Sequence, residues 1–427
     1  MNRRMGNVRW RIAFLIGVGI VINYFDRINI SVATKPLMQQ YGLSKGQMGI
    51  LLSSFAWSYA LLQIPIGALL DKVGVKWLNR LGMILWSLAT FMTAIVSGMG
   101  LIILSRVILG TAEAPAFPGA SKATGYWFPT QERGLASSAF DAAAKFSNVI
   151  GVPIVAYSVT EWGWRGGFWL TGVLSLLYAI AYWIWYRDPK ESKSLGEVER
   201  RYIMEGGAQV SGEAPGGIGR NLSYLLGRRK VWGLTIGFAA YGYSFYLFLT
   251  WLPGYLETQM HMTVLKSSVY TIVPWIFATL ADVLIGGLLV DTLIKKGYNA
   301  SRVRKTLMII GMIMGLAVAG AAFTANANVA IIWITIALSG LAFSAPIGWS
   351  IPALIAPKGT VGIVGSIMNF VNNIMGILAP IITGFIAGDT GSFALGFMVA
   401  AAVLIIGIFS YLFLLGTIEP MTTPFVD

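Results

Sequence analysis

The chain has 427 residues, of which 56% are hydrophobic and only 11% are charged. A soluble domain carries about 25% charged residues, so one water-soluble core cannot enclose this apolar content and lipid must be the solvent. The sequence contains no cysteine and a single histidine, His261. Disulfides, thiolate metal sites and iron–sulfur clusters are therefore excluded, and neither a metal site nor an organic cofactor is predicted.

Six hydrophobic stretches, each near the 20 or so residues needed to cross a bilayer, fill the first part of the chain. We expect these spans, numbered 1 to 6, near residues 11–33, 47–70, 79–99, 101–123, 134–158 and 166–187. The first stretch contains Asp26 and Arg27 and lacks a following small-residue cleavage site. It is therefore predicted to be a retained span and not a signal peptide.

A polar segment separates these spans from six more. Spans 7 to 12 are expected near residues 231–256, 267–290, 305–325, 328–352, 360–387 and 392–416. The glycine-rich second half of the polar segment is typical of a linker. Its first half predicts a short surface helix, because Ser194 and Glu197 have capping-box spacing. The predicted organisation is a first six-helix bundle over 1–187, a cytoplasmic linker over 188–230 and a second six-helix bundle over 231–427.

Lysine and arginine are distributed unevenly between the loops. If the N-terminus is cytoplasmic, most of the 31 basic residues fall on that side, and the opposite side holds only Lys35, Lys45, Arg165 and Lys266. Because basic loops stay inside, both termini are predicted to be cytoplasmic, in a bacterial inner membrane. The net charge of +13 is then mainly a topology signal with attraction to anionic lipid. No nucleic-acid partner is expected, and the protein is predicted to be a monomer.

A short motif recurs in both halves. Residues 67–71 and 287–291 both read G-x-L-x-D at the end of spans 2 and 8, and lysines follow each copy. Glycine lets a neighbouring helix approach closely, and the aspartate can lie at a helix N-terminus or pair with loop cations. A generic helix-end cap is the alternative to a gating role. The predicted gating motif consists of Gly67, Asp71, Gly74, Lys76 and Asp291.

Several segments together resemble the major facilitator superfamily over essentially the whole chain. GALLDKVGVK is similar to the signature between spans 2 and 3, with Val75 where a basic residue is usual. NYFDRINISVA, SRVILGTAEAPAFPG and YRDPKESKSLGEVE resemble the anion:cation symporter family, which includes galactonate, glucarate and hexuronate carriers. The resemblance implies an all-α membrane protein with twelve transmembrane helices in two pseudo-symmetric six-helix bundles. It also implies alternating-access uptake of an organic anion with protons.

Seven ionisable side chains lie inside the predicted spans. A charge at the centre of a membrane helix costs about 2.5–3.5 kcal/mol, so such residues usually face a water-filled ion or substrate path. They are Asp26, Arg27, Arg106, Glu113, Asp141, Lys145 and Asp282. The pattern indicates a transporter.

Four of these charges can form a proton-coupled anion site. Arginine grips a carboxylate with a bidentate fork and keeps its charge, whereas a buried carboxylate changes its proton affinity when a nearby cation moves. The resemblance implies that Asp26 and Glu113 take up protons and that Arg27 holds the substrate carboxylate. Arg106 is expected to pair with Glu113 or Asp26. A structural salt-bridge network between spans 1 and 4 is the alternative.

Lys145 lies near the middle of span 5 and has two interpretations. One is an ion pair with Asp141, four residues earlier on the same helix face. The other is a second contact to the substrate, which would favour substrates with two acidic groups. Both interpretations stay open, and Asp282 receives no role.

The second half supplies neutral polar and aromatic groups. By resemblance, Trp349 and Asn369 contact sugar-acid hydroxyls, together with Tyr24 and Tyr59 from the first half. Asn373 shares a helix face with Asn369 and is added to this substrate-binding set. Membrane-interface aromatic belts are the alternative for the tyrosines.

Other functional classes find less support. The sequence has no metal cluster, histidine-anchored nucleophile or phosphate-binding glycine loop, so an enzyme is not predicted. Residues 148–153 lack the GPxxGG pattern of drug/proton antiporters. A proton-independent uniporter has no need of two buried carboxylates. These two carrier types remain the alternatives to proton-coupled uptake.

Overall fold

The computed structural model describes residues 6–129, 132–206, 208, 218–357 and 360–422, and most of them are helical. In the first bundle, spans 1 to 3 are Val8–Val32, Lys45–Val73 and Val75–Ile95. Span 4 is Met99–Glu113, continued by Ala116–Trp127, and spans 5 and 6 are the two arms of Arg133–Trp185. In the second bundle, span 7 is Arg229–Thr258. Span 8 is Val264–Ala281, continued by the π-helical segment Asp282–Leu289 and by Val290–Lys295. Span 9 is Ala300–Gly315, continued by Val318–Ala322. Spans 10 to 12 are Ala327–Ile355, Val361–Thr390, and Ala394–Phe409 continued by the π-helical segment Ser410–Leu414.

Spans 5 and 6 follow each other through a sharp break at Gly163. This residue has φ 72° and ψ 172°, a conformation that glycine adopts readily because it has no Cβ. The break lies between the predicted end of span 5 and the predicted start of span 6. Among the described residues, nine helical stretches are long and apolar enough to cross a membrane, with the two arms counted as one. Lys45–Val73 and Arg229–Thr258, which are spans 2 and 7, are not among these nine. The arrangement is therefore consistent with the twelve predicted spans, although the count is not exact.

The outward faces of the helices are apolar. Large hydrophobic side chains such as Phe14, Leu88 and Phe323 are exposed on the spans. A helix that is apolar on its outer face as well as its inner face is stable in hydrocarbon and not in water. Polar side chains such as Asn23 and Ser175 are buried between helices instead. This pattern places any polar site inside the molecule.

The linker carries two short helices, Glu197–Glu205 and Ile218–Leu226. The first begins after Gly196, and no side chain caps its N-terminus. The predicted capping box is therefore wrong, because Ser194 still lies in a turn and its hydroxyl contacts that of Ser192. The boundaries of the linker and of the two bundles stay predictions.

Span 1 anchors the first linker helix. Arg9 Nη1 donates to Glu199 Oε1 at 2.9 Å, and Arg9 Nε donates to Glu132 Oε2 at 2.7 Å. The second linker helix contacts the last described residue, because the Tyr224 hydroxyl donates to the main-chain oxygen of Thr422. Arg9 and Thr422 thus lie beside the linker, and we call this end of the molecule the linker end and the opposite one the far end.

The two bundles meet along two seams. Span 2 lies along span 11, and span 5 lies along span 8. At the far end, glycines allow the first of these pairs to approach very closely. A Cβ on Gly49 would lie 2.3 Å from the main-chain oxygen of Pro380, and one on Gly384 would lie 2.5 Å from that of Lys45. The far end is therefore closed in this structure.

Candidate functional site

A buried ion pair joins spans 1 and 4. Arg27 Nε donates to Glu113 Oε2 at 3.2 Å, and the two residues are 7% and 0% exposed. Among the described residues, Arg27 Nη2 and Glu113 Oε1 have no hydrogen-bond partner. Buried polar atoms are nearly always paired. These two atoms can therefore bind a ligand or water without breaking another protein contact.

Three aromatic rings surround the Arg27 guanidinium. Its central carbon lies 4.9 Å from the ring centre of Tyr24, 4.5 Å from that of Phe55 and 4.8 Å from that of Tyr59. Cation–π attraction at a desolvated site contributes about 2 kcal/mol. The three rings therefore stabilise the charge of Arg27 without accepting its N–H donors, one of which goes to Glu113.

Arg106 and Asp26 lie beside this pair but do not bind each other through their side chains. Arg106 Nη1 donates to the main-chain oxygen of Asp26 at 2.8 Å. The Asp26 carboxylate accepts instead from the Ser175 hydroxyl of span 6 at 2.8 Å. The expected hydrogen-bonded pair between Arg106 and a carboxylate is therefore not formed, because Asp26 faces span 6 and Arg27 occupies Glu113. The charge of Arg106 still acts on both carboxylates.

A second group of charges lies where spans 5 and 8 meet. Lys145 Nζ donates to Asp141 Oδ2 at 2.6 Å, and it also contacts the carboxylate of Asp282. Lys145 is 2% exposed and Asp282 is 4% exposed. The pair with Asp141 matches one of the two interpretations of Lys145, whereas its contact with the second bundle was not predicted. Substrate contact by Lys145 stays a prediction.

A chain of neutral hydrogen bonds connects spans 2, 11 and 7. Asn369 Nδ2 donates to Gln63 Oε1 at 3.3 Å, and Asn373 Nδ2 donates to Asn369 Oδ1 at 3.2 Å. The Tyr246 hydroxyl then donates to Asn373 Oδ1 at 2.8 Å. Tyr246 also lies within electrostatic range of Arg27. Asn369 and Asn373 are thereby connected to the surroundings of the ion pair.

Aromatic contacts lead from Trp349 towards Lys145. The ring of Phe238 packs at 5.2 Å against Trp349 and at 5.1 Å against Tyr241. Tyr241 and Tyr24 are both within electrostatic range of Lys145. Trp349 itself is 43% exposed. The structure thus links Trp349 to Lys145 through intervening rings and not through direct contact.

The predicted gating motif lies at the linker end. Gly74 has φ 82° and forms the turn between spans 2 and 3. Lys76 Nζ binds Glu191 Oε2 of the linker segment at 2.6 Å. The surroundings of Gly67 and Asp71 lie outside the described residues, and Asp291 is in the first turn of Val290–Lys295. The gating role stays a prediction.

Several residues of this region were not among the predicted site residues, namely Phe55, Gln63, Ser175, Phe238, Tyr241 and Tyr246. Gln63 is an amide inside an apolar span, and that signal could have identified it. Phe55 and Ser175 have no comparable signal, because phenylalanine and serine are ordinary residues of membrane helices.

Comparison with known proteins gives the family. The model described as Major Facilitator Superfamily matches residues 16–380. The chain belongs to the Major Facilitator Superfamily. An uncharacterized transporter, YybO of Bacillus subtilis (strain 168), is 44% identical over 418 residues, which are 98% of this chain and 96% of that protein. The D-galactonate transporter of Escherichia coli O6:H1 is 31% identical, and 97% of each chain is covered.

A solved structure supports the superfamily fold. The chain resembles a bacterial homologue of the human lysosomal transporter Spinster, solved in an inward-facing and unoccupied conformation, with a TM-score of 0.74. The similarity covers 96% of this chain and 97% of that one at 18% sequence identity. The predicted all-α membrane fold is confirmed, and the protein is a transporter of this superfamily and not an enzyme.

Proposed function

We propose that this transporter takes up a small organic anion, a sugar acid or another small carboxylate, together with protons by alternating access. One observation carries the proposal: the buried Arg27–Glu113 pair, in which each partner keeps an unpaired polar atom. The 31% identical relative named as a D-galactonate transporter supports a sugar acid as the substrate.

The ion pair can exchange a proton for a substrate. Ionised Glu113 holds Arg27 and competes with any other carboxylate for the guanidinium. A proton on Glu113 removes its negative charge, and Arg27 can then bind the substrate carboxylate through two N–H donors. Proton binding therefore strengthens anion binding, and by linkage anion binding strengthens proton binding to the same degree.

The remaining site residues have supporting roles in this proposal. Asp26 is a second proton site, separate from Arg27 because its carboxylate bonds to Ser175. The neutral groups bind the hydroxyls of the substrate and fix its orientation. They are Tyr24, Tyr59, Trp349, Asn369 and Asn373.

The far-end closure indicates the direction from which the site is reached. Because the seam between spans 2 and 11 is closed at the far end, we propose that access in this state comes from the linker end. If the basic loops and both termini are cytoplasmic, this is the cytoplasm-facing state in a bacterial inner membrane. The gating motif would then control closure at the cytoplasmic end, with the protein acting as a monomer and its two bundles rocking about the site.

Glu113→Gln tests the coupling. In proteoliposomes with D-galactonate as the probe, this variant should lose uptake driven by a pH gradient and retain counterflow exchange, because only the proton-carrying step is removed. Glu161→Gln, at an exposed position of the far end, is the matched control. Full proton-driven uptake by Glu113→Gln would contradict the proposal. Wild-type uptake that does not depend on the pH gradient would indicate a uniporter. Proton-driven export of lipophilic cations would indicate an antiporter.

A further inference from the structure

Lys145 is surrounded by more negative charge than it can neutralise. It contacts two carboxylates, that of Asp141 on its own helix and that of Asp282 in the second bundle. Among the described residues, Lys145–Asp282 is the one ion pair that joins the two bundles. The contact is buried, since both residues are less than 5% exposed.

Stability alone is a poor explanation for this cluster. One ammonium and two carboxylates leave an excess negative charge. The Asp141 side chain is 27% exposed, so water can solvate its charge in part, whereas Asp282 is buried, and an uncompensated charge in a buried place is unfavourable. Even a balanced buried pair adds little net stability compared with apolar side chains of similar volume. A proton on one of the carboxylates would remove the excess charge. The composition of the cluster therefore suits a group that gains and loses a proton.

The two carboxylates differ in how firmly they are tied to Lys145. Asp141 lies one turn away on the same helix, so it stays beside Lys145 however the bundles move. Asp282 belongs to the other bundle and begins the π-helical segment Asp282–Leu289. Segments of this kind interrupt helices frequently at functional sites. Asp282 is therefore the partner that can be exchanged.

Tyr24 connects the cluster with the first ion pair. Its ring lies 4.9 Å from the guanidinium carbon of Arg27. It is also within electrostatic range of Lys145 and Asp141. Tyr24 is thus close enough to feel the charge of both cations, each of which contacts a carboxylate.

We infer that Lys145 and Asp282 form a second anion subsite, and that the substrate is a small dicarboxylate. The subsite rests on the proposed function, because Arg27 is taken to hold the first carboxylate. Ionised Asp282 occupies Lys145, protonated Asp282 releases it, and the second carboxylate of the substrate takes its place. Asp141 is a positioning residue, which keeps the ammonium directed towards the site.

The charges balance for a dianion. A proton on Glu113 and a proton on Asp282 compensate the two charges of the substrate, so these three changes together leave the net charge of the site unchanged. A proton on Asp26 would be additional to this balance. The groups facing Asp282 are Lys145 and Asp141 from span 5 and Tyr241 from span 7. Span 10 also packs against this segment, and its helix contains no ionisable residue.

Binding of a matched pair of anions tests the subsite. D-Glucarate and D-gluconate differ only at C6, where the first has a carboxylate and the second a hydroxymethyl group. Calorimetry on the purified full chain should show that Lys145→Gln weakens glucarate binding by about 30-fold or more, as loss of one partner of a desolvated charge pair does. Gluconate binding should change less than about 3-fold. Asp282→Asn should make glucarate binding less dependent on pH, because the competing carboxylate is gone.

Two further variants serve as controls. Lys193→Gln removes an exposed linker lysine and should change neither affinity. Lys145→Arg keeps the charge, so it should retain the preference for glucarate even if Lys145→Gln folds poorly. Equal losses for both anions in Lys145→Gln would overturn the subsite. The subsite would also be overturned if Lys145→Gln and Asp282→Asn lowered the melting temperature and left the preference for glucarate over gluconate unchanged. That result would show that the Lys145–Asp282 contact has only a structural role.

The outcomes separate the subsite from the proposed function. Suppose that gluconate binds and that Arg27→Gln abolishes its binding. If the wild-type protein then binds glucarate no more tightly than gluconate, only the second subsite is refuted. If neither anion binds, or if Arg27→Gln leaves binding unchanged, the proposed function fails and the second subsite fails with it.

Discussion

Substituting Gly49 with alanine is expected to force the bundles apart at the far end. Gly49 in span 2 faces the main chain of span 11, and an added Cβ would lie 2.3 Å from the oxygen of Pro380. A main-chain oxygen in a helix cannot swing aside as the end of a flexible side chain can. Either the spans shift at this contact, or the closed far end opens.

The size of the effect follows from the overlap. Overpacking of a well-packed contact costs about 1–3 kcal/mol. When that cost falls only on the closed state, the ratio of open to closed molecules rises about 5- to 150-fold. Replacing glycine by alanine also stabilises a helix by about 0.5–1 kcal/mol. That gain is the same in both states, so it does not change the ratio.

The absence of cysteine makes this motion measurable without background labelling. Spin labels on Gln39→Cys and Asp389→Cys, both exposed at the far end, report the distance between the bundles by double electron–electron resonance. Gly49→Ala should shift the distance distribution to longer values. Gly384→Ala, which approaches the same contact from span 11, should act alike. Gly365→Ala is the control, because a Cβ there meets no atom within 4 Å.

A single comparison decides the outcome. If Gly49→Ala and Gly365→Ala give the same far-end distance distribution, the close-packing argument is refuted. Transport supplies a second readout, since the cycle needs the far end to close. Proton-driven uptake should therefore slow in Gly49→Ala and stay near the wild-type rate in Gly365→Ala.

The linker anchor and the asparagine chain give the remaining predictions. Arg9→Gln should reduce the free energy of unfolding by about 3 kcal/mol. This is the low end for a broken buried pair, because main-chain N–H groups still donate to Glu199. An unchanged melting temperature would contradict this prediction. The hydrogen bond from Arg9 lowers the pKa of Glu132 below its ordinary value of 4.5. This contribution is present above that value and is lost as the pH falls through the lower folded-state pKa, so melting curves of wild type and Arg9→Gln should converge in strong acid. Tyr246→Phe removes the donor to Asn373, worth about 1 kcal/mol, and should weaken D-galactonate binding about 5-fold in calorimetry while pH-driven uptake remains coupled.

Hydropathy was sufficient to predict the spans but not their internal breaks. Span 7, expected over 231–256, is observed as Arg229–Thr258, because the length of an apolar run reflects the thickness of the bilayer. Span 4 pauses between Glu113 and Ala116, and span 8 passes into a π-helical segment at Asp282. Such breaks depend on contacts with neighbouring helices, which a hydropathy pattern does not contain.

Helix spacing predicted one pair within a span, but it did not predict which side chains meet across spans. Asp141 and Lys145 are four residues apart, and their pair is present. Arg106 was expected to pair with Glu113 on its own span or with Asp26, yet Arg27 from span 1 binds Glu113 and Arg106 donates to the main chain of Asp26. Spacing determines which face of a helix a side chain shares, whereas partners across helices depend on how the helices pack. For the same reason the contact between Lys145 and Asp282 was not predicted.

The buried charges are divided unequally between the bundles, and this division affects how proton binding can change the relative position of the bundles. Arg27 and Glu113 both belong to the first bundle, so a proton on Glu113 alters contacts inside that bundle only. A ligand shifts a conformational equilibrium only through a difference in its interactions with the two states. The Lys145–Asp282 contact crosses between bundles and depends on their relative position. Protonation of Asp282 would weaken that tie, and a dicarboxylate held by Arg27 and Lys145 would still engage the second bundle through Asn369 and its neighbours. In this mechanism the proton on Asp282 destabilises the conformation of the empty transporter. The bound substrate then determines which conformation becomes the most stable one.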